Sequence, residues 1–469
     1  MIDKIFKAYD VRATYPDPLN EDDAWKVGHA TAQFLKRSRQ EVPPDRKVQR
    51  ETTIVIGRDM RPSSPSLCKA LADGIRSVGF NVIDVGLIDT SFIYFAINHL
   101  GCVGGIMNTA SHNPIQYNGF KISGPRAKPI GSASGLKDIQ RIASNLQKTG
   151  ITGEHGTFEE MDLWGPYKEH VLSFLELPNP VTIAVDASNG MAGHMVPKVF
   201  DGVPNLTIDK ILFEVTGSFV HDPNPLVESN LQMLKDRIRE LEAQGNPVMA
   251  GGCFDGDADR CMFLDEQARV VGCDILTALL ARDFLEKEEN KGAAVVYDLR
   301  SSHVVPDEVK AAGGEPVRDR VGHAFIKKTM AEKQAVFGGE LSGHFYFRDN
   351  FFADSGAIAF ARVLSVMSKS GKKLSELTEP LKKYAQSGEL NFEVEDKDAK
   401  IRELAENFKD AKVDYLDGIT VEYRDWWFNV RKSNTEPLLR LNLEASSPEQ
   451  HEEKLSMLKK HLGEPVVGH

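Results

Sequence analysis

One short string in this sequence sets three carboxylates at every second position and ends on an arginine: D-G-D-A-D-R, from Asp255 to Arg260. Asp255, Asp257 and Asp259 alternate, and three carboxylates converging on one point repel one another unless a cation lies between them. Oxygen-only donors select a hard ion, so Mg²⁺ or Ca²⁺ is favoured over zinc. An EF-hand is the nearest competing reading, because Glu266 stands twelfth in a loop that begins at Asp255. The sixth position of such a loop needs Gly and is Arg260 here, and the flanks P-V-M-A-G-G-C-F and C-M-F-L-D read as strands. Mg²⁺ in an enzyme site is therefore preferred to an EF-hand or a metal-free acidic turn. Arg260 beside the ion suits a phosphoryl oxygen or an orienting ion pair.

Three further loops carry reactive groups. In N-T-A-S-H-N-P, Ser111 follows the glycine-rich run G-C-V-G-G-I-M and precedes a Pro that stops regular structure. A loop serine of this kind is expected to be exposed and mobile enough for nucleophilic work, although taken alone it is more often a turn or cap residue. His112 beside it is poorly placed as the base of a hydrolase triad, whose partners come from elsewhere in a fold. Ten residues on, Lys121 in Y-N-G-F-K-I either faces the same site as a cation or proton carrier or is an exposed strand lysine. In G-G-E-L-S-G-H, Glu340, Ser342 and His344 stand at spacing two. On an extended segment they would share one side, a comb for the vicinal hydroxyls of a sugar, with an ordinary polar loop as the alternative. In R-K-S-N-T-E-P, Arg431, Ser433, Asn434 and Thr435 offer a guanidinium, hydroxyls and an amide in one tight turn. That is a phosphate cradle, or else a simple hairpin turn. A nucleophile, a hard ion, a sugar comb and a phosphate cradle together imply phosphoryl transfer on a sugar phosphate.

The elements that must position these loops repeat. T-I-V-I-G-R-D, V-T-I-A-V-D and G-A-A-V-V-Y-D each place an Asp (Asp59, Asp186, Asp298) at the end of an apolar strand. Each is followed by a helix, a short strand and a third strand that breaks into one of the first three loops. Alternating strand and helix argues for parallel βαβ layers, with the loops outside the carboxyl ends of the strands, where open α/β sheets bind ligands. The final stretch differs. E-L-N-F-E-V-E, I-T-V-E-Y, W-W-F-N-V and L-L-R-L-N-L-E alternate as an antiparallel sheet does, and a capping box at Ser447, Pro448 and Gln450 opens a closing helix. The expectation is four segments: 1–148 and 149–268 as α/β domains bearing the serine and the metal loop, 269–380 as a sugar-reading α/β domain, and 381–469 as an α+β phosphate-binding domain. Lys36 to Arg50, dense in Arg and Lys with Pro43 and Pro44, reads as an exposed insertion rather than a nucleic-acid patch.

Composition bounds the rest. With 469 residues, 41% apolar and 27% charged, the chain is an ordinary globular protein of several domains. A net charge of -11 argues against nucleic acid and anionic lipid as partners, so any phosphate must be bound by local cation clusters. No spanning helix or signal peptide is visible, and five cysteines without paired spacing suit a reducing compartment, so the expected location is cytoplasmic.

Taken in order, T-A-S-H-N-P, D-G-D-A-D-R, G-E-L-S-G-H and R-K-S-N-T-E-P resemble the four active-site loops of the α-D-phosphohexomutases, and the early K-A-Y-D-V-R, with Tyr9 and Arg12, extends the likeness. The resemblance implies three related α/β domains with mixed sheets plus a C-terminal α+β domain, heart-shaped around a central cleft. It implies that Ser111 is a phosphoserine and that Asp255, Asp257 and Asp259 bind Mg²⁺ with an oxygen on Ser111. Lys121 and His323, in R-V-G-H-A-F, would transfer protons; Arg260 and Arg12 would steady the moving phosphoryl group. Tyr9, Glu340, Ser342 and His344 would read the sugar, and Arg431, Ser433, Asn434 and Thr435 would clamp the phosphate that does not react. Arg300 stands where some members carry Lys, which leaves the sugar contact there open.

The implied reaction interconverts hexose 1- and 6-phosphates through a 1,6-bisphosphate, which also serves as activator. Hexose phosphates are the implied partners of a monomer or dimer. S-N-T-E-P, with Leu341 in G-E-L-S-G-H, favours mannose, with glucose also accepted. Phosphoglucosamine mutases tend to S-G-T-E-P and to Gln at that position. Phosphoglucosamine mutase is the alternative within the chemistry, and a non-catalytic sugar-phosphate or Ca²⁺-binding module is the alternative outside it.

Overall fold

The computed structural model describes residues 2–38, 48–146, 155–433 and 437–466. The chain forms two compact units: 1–271 with 343–375, and 272–342 with 376–469.

The first unit contains two mixed sheets. In one, the strands run in the order Val11–Thr14, Tyr117–Ser123, Cys102–Asn108, Arg50–Arg58, Asn81–Leu87, Phe158–Glu160. Arg50–Arg58 is parallel to both neighbours, whereas Tyr117–Ser123 returns antiparallel to Cys102–Asn108, which sets Lys121 opposite Met107. The apolar strand runs are buried because helices Glu21–Ser38 and Ser64–Arg76 cover them, and Ile54, Ile56, Ile106, Leu71 and Ile75 make one core. Burying side chains of this size contributes about 1.5–3 kcal/mol each. In the second sheet, Val181–Asp186 is parallel to Leu206–Ile211 and Ala250–Phe254, and Ala250–Phe254 pairs antiparallel with Cys261–Asp265. The acidic string is therefore the loop of a hairpin, as its strand-like flanks predict. Glu266 lies outside that loop, and its carboxylate accepts the Ser375 hydroxyl at 2.6 Å, which leaves nothing of an EF-hand. Helix Gly356–Ser370 covers this sheet, with Phe360 against Phe254 and Phe263.

In the second unit, Glu315–Asp319, Ala294–Asp298 and Phe337–Gly339 are parallel. A five-stranded antiparallel sheet follows, in the order Ala385–Phe392, Leu439–Ala445, Trp426–Lys432, Ile419–Glu422, Lys412–Asp414. Its core gathers Phe392, Leu404, Phe428, Val430, Leu441 and Leu458. The short strand Lys412–Asp414 escapes sequence reading because three residues are too few to show alternation. Ser447 caps helix Pro448–Leu462 by accepting from the Gln450 amide, but the Gln450 side chain reaches back to Ser446 rather than to Ser447.

All three repeats use the strand-end Asp in the same way. The carboxylates of Asp59, Asp186 and Asp298 accept the backbone N–H two residues on, from Arg61, Ser188 and Arg300 at 3.1, 2.8 and 2.8 Å. Each turn is thus closed by a side chain standing in for a carbonyl. Each Asp also faces a basic side chain: Arg61, His221 and Arg300 respectively. The proposed basic insertion falls largely on 39–47, outside the described residues; Lys36 to Ser38 continue a helix and Arg50 opens a strand. All five cysteines are buried, and none forms a disulfide. Among the described residues no helix is long and apolar enough to cross a membrane.

Candidate active site

The serine loop is built from beneath by one guanidinium. Arg61, 1% exposed, pairs with Asp59 and donates to the carbonyl oxygens of Ser111, Asn113, Pro114 and Tyr117 at 2.6 to 3.0 Å. The Ser111 amide donates to the Thr109 hydroxyl at 2.9 Å. Held at both its N–H and its C=O, Ser111 sits in the left-handed region at φ 51°, uncommon for a non-glycine residue. The expectation of an exposed, mobile serine is not met, because Ser111 is only 5% exposed between Arg61 and the acidic loop. Gly256 makes this closeness possible: a Cβ there would lie 2.5 Å from the Ser111 carbonyl oxygen.

The acidic loop meets the serine directly. The Ser111 hydroxyl donates to Asp255 Oδ2 at 3.1 Å, and His112 Nδ1 lies 3.3 Å from Ser111 Oγ. Arg260 bridges the two, its Nε donating to Asp255 at 2.9 Å and its Nη2 to His112 Nδ1 at 2.6 Å. Burial, reinforced by Arg260 and Arg12, pushes the His112 imidazole well below its ordinary range, so it stays neutral and accepts from Arg260. Lys121 Nζ donates to Asp257 and Asp259 at 2.7 and 2.6 Å. Its side chain is one-fifth exposed, between the two readings of the sequence. Burial alone would lower the Lys121 pKa, but Asp257 and Asp259 outweigh it and raise the group, which stays charged.

Ligand oxygens of Asp255, Asp257 and Asp259 lie within 4.8 Å of one another. Burial, then Asp259, raises Asp255 well above the carboxylate range, which marks charge in excess of what Arg260 offsets. Asp257 Oδ1 and Asp259 Oδ1 are buried and accept no hydrogen bond among the described residues. Buried oxygens without donors, in an all-carboxylate set, fit a hard cation.

Arg12 approaches from the first strand, donating to Asn113 of the serine loop at 2.6 Å and to Asp10. Tyr9 lies beside Gly131. His344 also joins this unit: its Nε2 lies 3.7 Å from Asp259 Oδ1, beside the acidic loop. Residues 341 to 343 are a turn, with Gly343 at φ 85°, and spacing two no longer means one side.

In the second unit Glu340 accepts the Gly322 N–H at 2.9 Å, directly before His323 at the start of helix His323–Lys333. Asp298 accepts the Leu341 N–H at 2.7 Å and pairs with Arg300, locking the Glu340 loop to that arginine. Arg300, Arg431 and Arg440 all point to Glu389, at 3.3, 2.7 and 2.9 Å. Three guanidiniums against the two carboxylates of Glu389 and Asp298 leave an excess of positive charge suited to an anion. Burial, then Arg300, lowers Arg431. Ser433 follows the strand bearing Arg431, and Asn434 and Thr435 lie outside the described residues.

Sequence reading missed Arg61, Thr90 and Thr109. For Arg61 a signal existed: Asp-x-Arg closes the first strand as it does the third, in R-D-M-R and D-L-R. Thr90 carries no local signal, because its partner lies 167 residues away.

Profiles of the phosphoglucomutase/phosphomannomutase alpha/beta/alpha domains I, II and III match residues 3–149, 166–269 and 273–384, and that of the C-terminal domain matches 389–459. The chain belongs to the phosphoglucomutase/phosphomannomutase family. It is 38% identical over 453 residues to a phosphomannomutase of Escherichia coli, covering 94% of each chain. It is 35% identical over 464 residues to a phosphomannomutase of Methanocaldococcus jannaschii, covering 97% of this chain and 96% of that one. Among solved structures, a phosphoglucomutase/phosphomannomutase family protein of Burkholderia thailandensis superposes with a TM-score of 0.86 at 29% identity, covering 97% of this chain and 96% of that one. Three α/β domains and a C-terminal α+β domain are the fold of this family, and the chain is an isomerase-class phosphohexomutase.

Proposed function

We propose that the chain interconverts mannose 1-phosphate and mannose 6-phosphate, accepts glucose phosphates as well, and carries the transferring group on Ser111. The observation that carries this reading is the Ser111 hydroxyl, donated to Asp255 at 3.1 Å from a backbone held by Arg61 and Thr109. The preference for mannose is supported by the phosphomannomutases among the relatives and by S-N-T-E-P.

In this reading the phosphoryl group passes from Ser111 Oγ to the free hydroxyl at C6 or C1. The serine P–O bond breaks, a sugar ester forms, the hydroxyl proton passes to a base, and the departing Ser111 Oγ takes up a proton from an acid. The bisphosphate then turns around and returns its other phosphoryl group to Ser111. Arg260, and Arg12 through the serine loop, place positive charge beside the moving group. Lys121 and His323 are the proton carriers. The fixed backbone of Ser111 supplies positioning, which in phosphoryl transfer is most of what a protein contributes. Asp255, Asp257 and Asp259, with an oxygen on Ser111, would hold Mg²⁺, which when bound supplies charge neutralisation at the phosphoryl oxygens.

In the second unit, Glu340 and Ser342 are assigned to the sugar hydroxyls, with Arg300 beside them. Arg431, Ser433, Asn434 and Thr435 are assigned to the phosphate that stays. Segments 1–148, 149–268, 269–380 and 381–469 then carry the serine, metal, sugar and phosphate functions. A hexose 1,6-bisphosphate is the activator, because it re-phosphorylates a serine that has lost its group. A cytoplasmic setting completes the reading, supported by five buried thiols outside any disulfide.

Intact-mass measurement of purified protein tests it. A fraction carrying one phosphoryl group, mapped to Ser111, is expected, together with turnover of mannose 1-phosphate primed by hexose bisphosphate. Undiminished turnover by Ser111→Ala sinks the phosphoserine, and preference for glucosamine 6-phosphate sinks the choice of sugar.

A further inference from the structure

Thr90 opens helix Thr90–Leu100 in the same α/β domain as Ser111, yet both of its polar groups are directed at the acidic loop of the next domain. It is fully buried; its backbone N–H donates to the Asp257 carbonyl at 3.0 Å and its hydroxyl to Asp257 Oδ2 at 2.5 Å. Lys121 donates to that same Oδ2 at 2.7 Å, and the Thr109 hydroxyl stands 3.4 Å away. Asp257 Oδ1, by contrast, is buried and accepts no hydrogen bond among the described residues. One oxygen of this carboxylate is thus fully engaged, and the other is kept clear.

A carboxylate rotates freely about its Cβ–Cγ bond unless its oxygens are made unequal. Donors confined to Oδ2 remove that freedom and fix where Oδ1 points. We infer that Thr90 is a positioning residue for the metal centre, clamping Asp257 so that Oδ1 is the oxygen offered to the cation. This rests on the reading of the acidic loop as a Mg²⁺ site. The backbone half of the clamp does a second thing. It fixes the metal loop to the domain that carries the nucleophile, so the same helix end sets the cation's place relative to Ser111.

Thr90→Val removes only the hydroxyl and keeps shape, β-branching and the backbone bond. Thr90→Ser restores the hydroxyl without the methyl group. Mn²⁺ affinity of the full-length protein, followed by electron paramagnetic resonance of the ion, separates the roles, with thermal unfolding in chelator as the control for folding. Thr90→Val is expected to weaken Mn²⁺ binding by about tenfold or more. Thr90→Ser is expected to bind like wild type, and KM for mannose 1-phosphate at saturating Mg²⁺ is expected to be unchanged in both. Wild-type affinity in Thr90→Val, or equal weakening in Thr90→Ser, overturns the clamp. A wild-type protein that binds no Mn²⁺ overturns the metal reading itself, and the clamp falls with it.

Discussion

Arg61 Nη2 donates to the carbonyl oxygen of Ser111 at 2.8 Å and to that of Asn113 at 2.7 Å, while Nη1 of the same guanidinium binds the carbonyls of Pro114 and Tyr117. A single buried cation therefore organises the backbone from which the nucleophile projects. Lysine cannot replace it, because only the planar fork reaches in several directions at once.

Arg61→Met leaves Asp59 buried and uncompensated, and is expected to lose about 3–5 kcal/mol in urea unfolding. Arg61→Lys keeps the charge and should recover part of that stability while turning over poorly. Full activity in the lysine variant would show that the loop does not depend on the fork.

Gly256→Ala puts a Cβ 2.5 Å from the Ser111 carbonyl, so the serine and acidic loops must part. Overpacking of this kind costs about 1–3 kcal/mol. Activity should fall further than stability suggests, by about a hundredfold, because displacement of about an ångström is enough to do so. Steady-state kinetics beside a thermal melt distinguishes the two effects.

Asp89, fully buried, accepts the Tyr167 hydroxyl at 2.7 Å, and burial carries its carboxyl from the ordinary 3.8 to about 7. A carboxyl raised in the fold prefers its protonated form there, so its stabilising contribution is complete below the unfolded value and is lost as pH rises toward the folded one. Stability should thus fall between about pH 4 and 7, and Asp89→Asn should remove that slope, gaining up to about 4 kcal/mol at pH 8. Identical unfolding midpoints of the two proteins at pH 8 would refute the assignment.

Glu389 behaves in the opposite sense. Burial would raise it, but Arg300, Arg431 and Arg440 together hold it below its usual 4.5. Its contribution is present above that value and is lost as pH falls through the lower folded one. Glu389→Gln removes the carboxylate that Arg431 and Arg440 share with Arg300, which stays paired with Asp298, and the expected loss is about 1.5–3 kcal/mol at neutral pH. The gap to wild type should narrow as pH falls below 4.5 and through the lower folded value, where the wild-type carboxylate is itself protonated.

The repeats were legible because strand-end Asp residues close their own turns, a local contact that leaves a local pattern in sequence. The acidic triplet was legible for the same reason, since a six-residue loop between paired strands must bring alternate carboxylates together. Spacing two fixes a side only on an extended chain, and Gly343 in the left-handed region turns the chain between Ser342 and His344. His344 is carried round to Asp259 by that turn. Thr90 and Arg61 act across 167 and 50 residues, on partners no window of sequence contains.

The buried cysteines give this chain a built-in stopwatch. Cys253 and Cys261 lie in the two strands that flank the acidic loop, and Cys68 lies in helix Ser64–Arg76. Burial pushes the Cys102 thiol up to about 11 and Cys253 well above its ordinary value, so neither is a thiolate at neutral pH. A thiol reagent can therefore react only when the surrounding segment opens. The labelling rate of each cysteine, read by mass, times the opening of its own stretch of chain, and a cation that steadies the acidic loop would slow Cys253 and Cys261 while leaving Cys68 unchanged.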